Sequence, residues 1–185
     1  MDLTGKLLIA MPGMGDPRFE HSVVFMCSHG EDGAMGLIIN KPVPQLSLSD
    51  LFSQLEIEVT DDANGHPPVH FGGPVETTRG FVLHSSDYEA NLHSMSVSDE
   101  ISMTATLDIL EDIAHGRGPR QKLLTLGYSG WGPGQLESEI ATNGWLTTDT
   151  DLSLVFDLAH DERWSAALAT LGVDPLTLSA SAGHA

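Results

Sequence analysis

The sequence predicts an α+β domain. Three observations lead there: short apolar runs closed by Gly or Pro, longer segments with apolar residues at helical spacing, and an irregular order of the two along the chain. A steady alternation of strand and helix, the mark of a parallel βαβ sheet, does not run through it.

Strands are predicted at residues 7–10, 23–27, 36–40, 80–84, 123–126 and 153–156. Several of these runs are apolar without alternation, as a strand covered on both faces requires. Residues 92–97 form a weaker strand, alternating Leu92, Ser94 and Ser96 with His93, Met95 and Val97. Four segments predict helices. Ser47 can cap the first, whose Leu48, Leu51, Phe52 and Leu55 lie at i, i+3, i+4 and i+7. The second spans about 104–115, with Leu107, Leu110, Ile113 and Ala114 inward and Gly116 as the stop. The third starts near Pro133, turns Leu136 and Ile140 inward, and ends at Asn143-Gly144. The fourth covers roughly 161–171, where Trp164, Ala167, Leu168 and Leu171 repeat the same spacing before Gly172. Between Ile57 and Val69 the chain is polar and rich in turn residues, so it reads as an exposed connection, with strand signals resuming at once. A single domain over residues 1–178 is expected, followed by a flexible C-terminal tail over 179–185.

The apolar fraction of 41% suffices for a core, and 8 Lys and Arg against 26 Asp and Glu leave a net charge of −18. So acidic a chain should repel polyanions, which makes direct nucleic-acid binding and an anionic membrane surface poor partners. The one local basic cluster is Arg117, Arg120 and Lys122, just after the second helix, where it complements a helix C-terminus. The N-terminus carries no basic region followed by a long apolar core, no run approaches a membrane span, and the single Cys27 suits a reducing compartment. A soluble cytoplasmic protein with no metal or cofactor is expected.

Gly127-Tyr128-Ser129-Gly130-Trp131 follows an apolar strand and precedes a helix, as a nucleophile elbow does, but Trp131 stands where the elbow needs its last glycine. The alternative is a strand-to-helix turn that happens to carry a hydroxyl. Cys27 and His29 are two apart and on a strand share a face, yet no further ligand pair completes a zinc site, and a buried structural thiol is the simpler reading. Glu137 and Glu139 point to different sides of a helix, whereas Gln135 and Glu139 share one; a solvated first turn explains the same residues. Gly72-Gly73-Pro74 with Arg79 fits either a backbone cradle and bidentate anion clamp or a tight turn packed by an arginine stem.

Together these segments resemble the AlgH/YqgE-like family of bacterial proteins. The resemblance runs through Leu7-Leu8-Ile9-Ala10-Met11-Pro12, Asp16-Pro17-Arg18-Phe19 and Gly33-Ala34-Met35-Gly36-Leu37-Ile38-Ile39-Asn40-Lys41-Pro42. It continues through Gly72-Gly73-Pro74-Val75, Arg79-Gly80-Phe81-Val82-Leu83-His84, Leu126-Gly127-Tyr128-Ser129-Gly130-Trp131, Gly134-Gln135-Leu136-Glu137 and Asn143-Gly144-Trp145-Leu146. The connection around residues 61–68 departs most from the pattern, and members often carry alanine at the position of Ser129. The resemblance implies an irregular, bifurcated, mostly antiparallel sheet curled into a pseudo-barrel and flanked by about four helices. Members are commonly labelled transcriptional regulators, a label that specifies no chemistry.

Three functions remain open. The first is a non-enzymatic regulatory or adaptor protein that binds a protein or small-molecule partner, with Asn40, Arg79, His84 and Trp131 lining one groove and Gln135 and Glu139 beside it. The second is a regulator contacting DNA directly. The third is a hydrolase-like enzyme using Ser129 or an acid–base pair that includes His84.

Overall fold

Adjacent residues of the central strands feed different cores, because successive side chains of a strand point to opposite faces. Leu7 and Ile9 enter one cluster and Leu8 and Ala10 another; Phe81 and Leu83 part from Val82 in the same way. The computed structural model describes residues 1–60, 67–88, 94–105 and 107–176. Within them the chain forms β1 (Leu7–Ala10), β2 (Val23–Gly30), β3 (Gly33–Ile38), β4 (Pro42–Ser47), α1 (Leu48–Gln54), β5 (Pro68–Phe71) and β6 (Val75–Ser85). It continues as β7 (Ser94–Ser96), β8 (Ile101–Thr104), α2 (Leu107–Ala114), β9 (Lys122–Trp131), α3 (Gln135–Ala141), β10 (Trp145–Thr148) and α4 (Arg163–Thr170).

The strands lie in the order β10-β1-β2-β3-β9-β6-β8-β7, all antiparallel. The sheet branches at β9. One edge of β9 pairs with β6; on the other, Thr125 and Leu126 run parallel to His70 and Phe71 of β5, and Ser129 to Trp131 then pair with β3. Gly127, at φ 74 between those two pairings, supplies the bend. The result is a mostly antiparallel sheet curled into a half-barrel, the α+β fold expected.

The helices cover faces that the curl leaves apolar. Ser47 accepts from the Asp50 amide while the Asp50 carboxylate accepts from the Ser47 amide, a capping box that fixes the start of α1. That start places Leu48 and Phe52 against Val69 and Leu124, burial that contributes about 3–6 kcal/mol before the entropy of ordering. α2 packs on the same face through Ile109, Leu110 and Ile113, α3 covers Leu8, Val24 and Ile38 through Leu136, and α4 closes the inner core through Ala167 and Leu168.

Several expectations are corrected. Residues 153–156 form a π-helical turn (Ser153–Asp157), not a strand: the Asp151 carboxylate accepts from the Ser153 amide, and the turn sends the neighbours Leu154 and Val155 into one core. The helix placed at 104–115 begins at Leu107, because Thr104 belongs to β8. Leu107 is 57% exposed and Leu171 40%, so neither turns inward. β9 runs through Gly127 to Trp131, which puts Ser129 inside a strand and not on a strand-to-helix turn. A 3-10 turn (His160–Glu162) leads into α4. The expectations for residues 61–66, Leu92, His93 and the 179–185 tail fall outside the described residues. No helix among the described residues is long and apolar enough to cross a membrane.

Candidate functional site

The glycines of the 72–73 turn serve a close crossing of two backbones. A Cβ on Gly72 would lie 2.3 Å from the Gly127 carbonyl oxygen, and one on Gly73 would lie 2.1 Å from the Tyr128 carbonyl carbon. The crossing is tied by the Gly72 amide to Leu126 O (2.8 Å), by the Ile38 amide to Gly72 O (2.9 Å), and by Ser129 Oγ donating to the same carbonyl (3.1 Å). What approaches these glycines is the chain itself. Ser129 is fully buried and spends its proton on a backbone carbonyl.

His84, the other catalytic candidate, is also fully buried. Its Nδ1 faces the Ser85 carbonyl at 2.8 Å, an acceptor only, so Nδ1 carries the proton and Nε2 accepts from Thr104 Oγ1 at 2.8 Å. Thr104 in turn accepts from Ser94 Oγ at 2.7 Å. Burial holds the His84 pKa below its ordinary value, which keeps this relay in its neutral form.

Trp131, Gln135 and Glu139 do come together. Both indoles, Trp131 Nε1 (3.2 Å) and Trp145 Nε1 (3.0 Å), donate to Glu139 Oε1, while Gln135 Nε2 donates to its Oε2 (3.0 Å). Glu139 is therefore the anchor of two largely buried tryptophans and not simply a solvated first-turn acid. Glu137 points elsewhere and meets His29 Nε2 at 2.5 Å. Cys27 and His29 do not share a face: the register slips between Met26 and Ser28, Cys27 stays with the inner core, and His29 turns to Leu3 and α3. Burial pushes the Cys27 thiol up to about 12.

The single groove expected for Asn40, Arg79, His84 and Trp131 is not formed. Arg79 and Trp131 line one open hollow of about 860 Å³ beside Met35, Phe81 and Tyr128. There Arg79 is half-exposed, 3.6 Å from Glu76 and 5.1 Å above the Phe81 ring. Asn40 is instead a clasp, accepting from the Val23 amide (2.9 Å) and donating to His21 O (2.8 Å). His84 belongs to the relay described above.

A more enclosed cavity, about 480 Å³, lies where β5, the start of β9, α1, α2 and the approach to α4 meet. Leu110, Ile113, Leu123 and Phe156 supply apolar wall; Arg120, Lys122, His160, His70 and Arg163 supply cations and imidazoles; among the described residues Asp157 is the one carboxylate of the lining. His70 is 4% exposed, and among the described residues neither ring nitrogen has a hydrogen-bond partner, although the Leu124 backbone lies near enough to favour the charged ring slightly. Burial first, then the charges of Arg163 and His160, lower its pKa to about 4. Arg163 is 5% exposed; one Nη donates to Ile39 O, and its Nε has no partner among the described residues. Sequence reasoning assigned Arg120 and Lys122 to a helix end and did not single out His70 or Arg163. The signals available were a lone His in an apolar strand, Val69-His70-Phe71, and an Arg four residues before the inward Ala167. Among the described residues no group of three or more His, Cys, Asp or Glu is arranged to hold a metal ion.

The AlgH-like family model, DUF179, matches residues 7–176. A UPF0301 protein of Ruegeria pomeroyi is 66% identical over 185 residues and covers 100% of both chains. One from Paracoccus denitrificans is 55% identical across 100% of this chain and 97% of its own. The solution structure of AlgH from Pseudomonas aeruginosa matches with a TM-score of 0.79 at 44% identity, over 100% of this chain and 97% of that one. Protein DIP2367 of Corynebacterium diphtheriae shares the fold, at a TM-score of 0.76 and 18% identity over 96% of this chain and 91% of its own. A family model spanning all but the chain ends, relatives aligned end to end and a shared half-barrel agree that this chain belongs to the AlgH-like family.

Proposed function

We propose that the protein is a non-enzymatic regulatory or adaptor protein that works by binding, and that a small-molecule ligand occupies the cavity at His70 and Arg163. The observation that carries this reading is the pair itself: His70 and Arg163 are buried polar side chains that line one cavity, and each has a nitrogen without a hydrogen-bond partner among the described residues. An unpaired buried polar group costs roughly 1–3 kcal/mol, a cost that a ligand supplying the missing partners offsets. The two catalytic candidates support the same reading, since Ser129 and His84 are each committed to structural hydrogen bonds. Charge placement argues for a partner other than a duplex: Lys6, Arg18, Arg79 and Arg117 each sit against a carboxylate instead of gathering on one face.

Backbone and methyl resonances of the full chain, followed during titration with a mixed set of neutral, cationic and anionic small molecules, examine this directly. Binders should perturb Val69, His70, Leu110 and Leu124 first. Binders that cluster in the Arg79 hollow, or a set with none, would count against the cavity.

A further inference from the structure

Resting on that reading of the cavity, we propose that its ligand is an amphiphilic organic anion, with a carboxylate or phosphate head at Arg163 and His70 and an apolar body against Leu110, Ile113 and Leu123. Charge is the first argument. The chain carries a net −18, yet three of its eight Lys and Arg residues, Arg120, Lys122 and Arg163, line this one cavity, where Asp157 is the one carboxylate among the described residues of the lining. Position is the second. Arg163 is the first residue of α4, where the positive end of the helix dipole opposes a cation, and burial disfavours its charged form. A buried cation held at a helix N-terminus with a carbonyl as its one described partner is compensated most directly by an anion. Size is the third: about 480 Å³ falls within the roughly 300–1,000 Å³ of small-molecule sites, room for a head group and a short apolar body. The apolar wall separates this ligand from a bare inorganic ion, which would leave Leu110 and Ile113 without a partner.

Calorimetric titration of the full chain with octyl phosphate, octanoate, octan-1-ol, octylamine and inorganic phosphate decides the matter. The two amphiphilic anions should bind at least about tenfold more tightly than octanol, octylamine should not bind, and inorganic phosphate should bind at least about tenfold more weakly than octyl phosphate. The ratio of octanoate to octyl phosphate identifies the head group. Arg163→Gln should abolish the preference for anions. Should that variant fail to fold, Arg120→Gln, at an exposed position, should weaken both anions several-fold and leave octanol unchanged. Octanol binding as tightly as the anions overturns the anion while leaving the cavity as the site. Phosphate matching octyl phosphate overturns the apolar body. If none of the five binds, the cavity reading fails with the proposal.

Discussion

Arg163 and His70 line the same cavity, and the guanidinium adds to burial in holding the imidazole neutral, with a pKa of about 4 in place of 6.5. The sign of the resulting stability effect follows from proton counting. Between pH 6.5 and about 4 the unfolded chain binds a proton at His70 that the folded chain refuses, so stability falls as pH drops through that window. A shift of this size corresponds to about 3 kcal/mol by pH 4. His70→Gln should therefore flatten the acid limb of a urea-midpoint profile; curves that stay parallel to the parent would remove His70 as its source.

Glu139 is predicted to be a stability residue. Glu139→Ala leaves the Trp131 and Trp145 indole donors without their acceptor and should cost about 2–4 kcal/mol, whereas Glu139→Gln, which keeps an acceptor oxygen, should cost less than half of that. Thermal unfolding followed by tryptophan fluorescence reads both. Equal losses in the two variants would mean that the carboxylate charge, not the acceptor, is what matters.

The backbone crossing predicts a contrast between glycines. Gly73→Ala forces a Cβ to 2.1 Å from Tyr128 at φ 155 and should cost at least about 3 kcal/mol or prevent folding. Gly134→Ala, at φ 72 with nothing within 4 Å of the new Cβ, should cost only about 1 kcal/mol. Denaturant midpoints within error of each other would contradict the crossing.

Cys27 should be inert in the folded protein, since burial raises its thiol pKa to about 12 and leaves almost no thiolate near neutrality. Iodoacetamide at pH 8 should label the chain only after denaturant is added. Stoichiometric labelling under native conditions would place the thiol at the surface.

Much of the fold could be read from the sequence because its signals are local. The apolar runs of β1 and β2 are continuous since both faces are covered, and Ser47 starts α1 with its own side chain. The misreadings are places where local pattern is ambiguous. The run Leu154-Val155-Phe156 is too short for its period to separate strand from helix, and the Asp151 carboxylate, accepting from the Ser153 amide, favours a turn. Gly127 looks like the end of a strand, yet it lets β9 change partners from β5 to β3. The cavity was hidden for a different reason: His70, Lys122 and Arg163 are distant in sequence and meet only through the branched sheet. Of the basic cluster, Arg117 stays beside α2, its amide bonding Asp112 O at 2.7 Å and its guanidinium lying 3.6 Å from the Asp112 carboxylate, while Arg120 and Lys122 line the cavity.

The measurement closest to the central claim is an NMR titration of the His70 ring protons with pH, without ligand and at saturating octanoate. The facing groups Arg120, Lys122, His160, Arg163 and Asp157 are the same in both arms, so a difference reports the bound charge. An anion seated beside the imidazole should raise its apparent pKa from about 4 by about one unit or more and shift its resonances at neutral pH. A His70 titration unchanged by saturating octanoate would contradict the account.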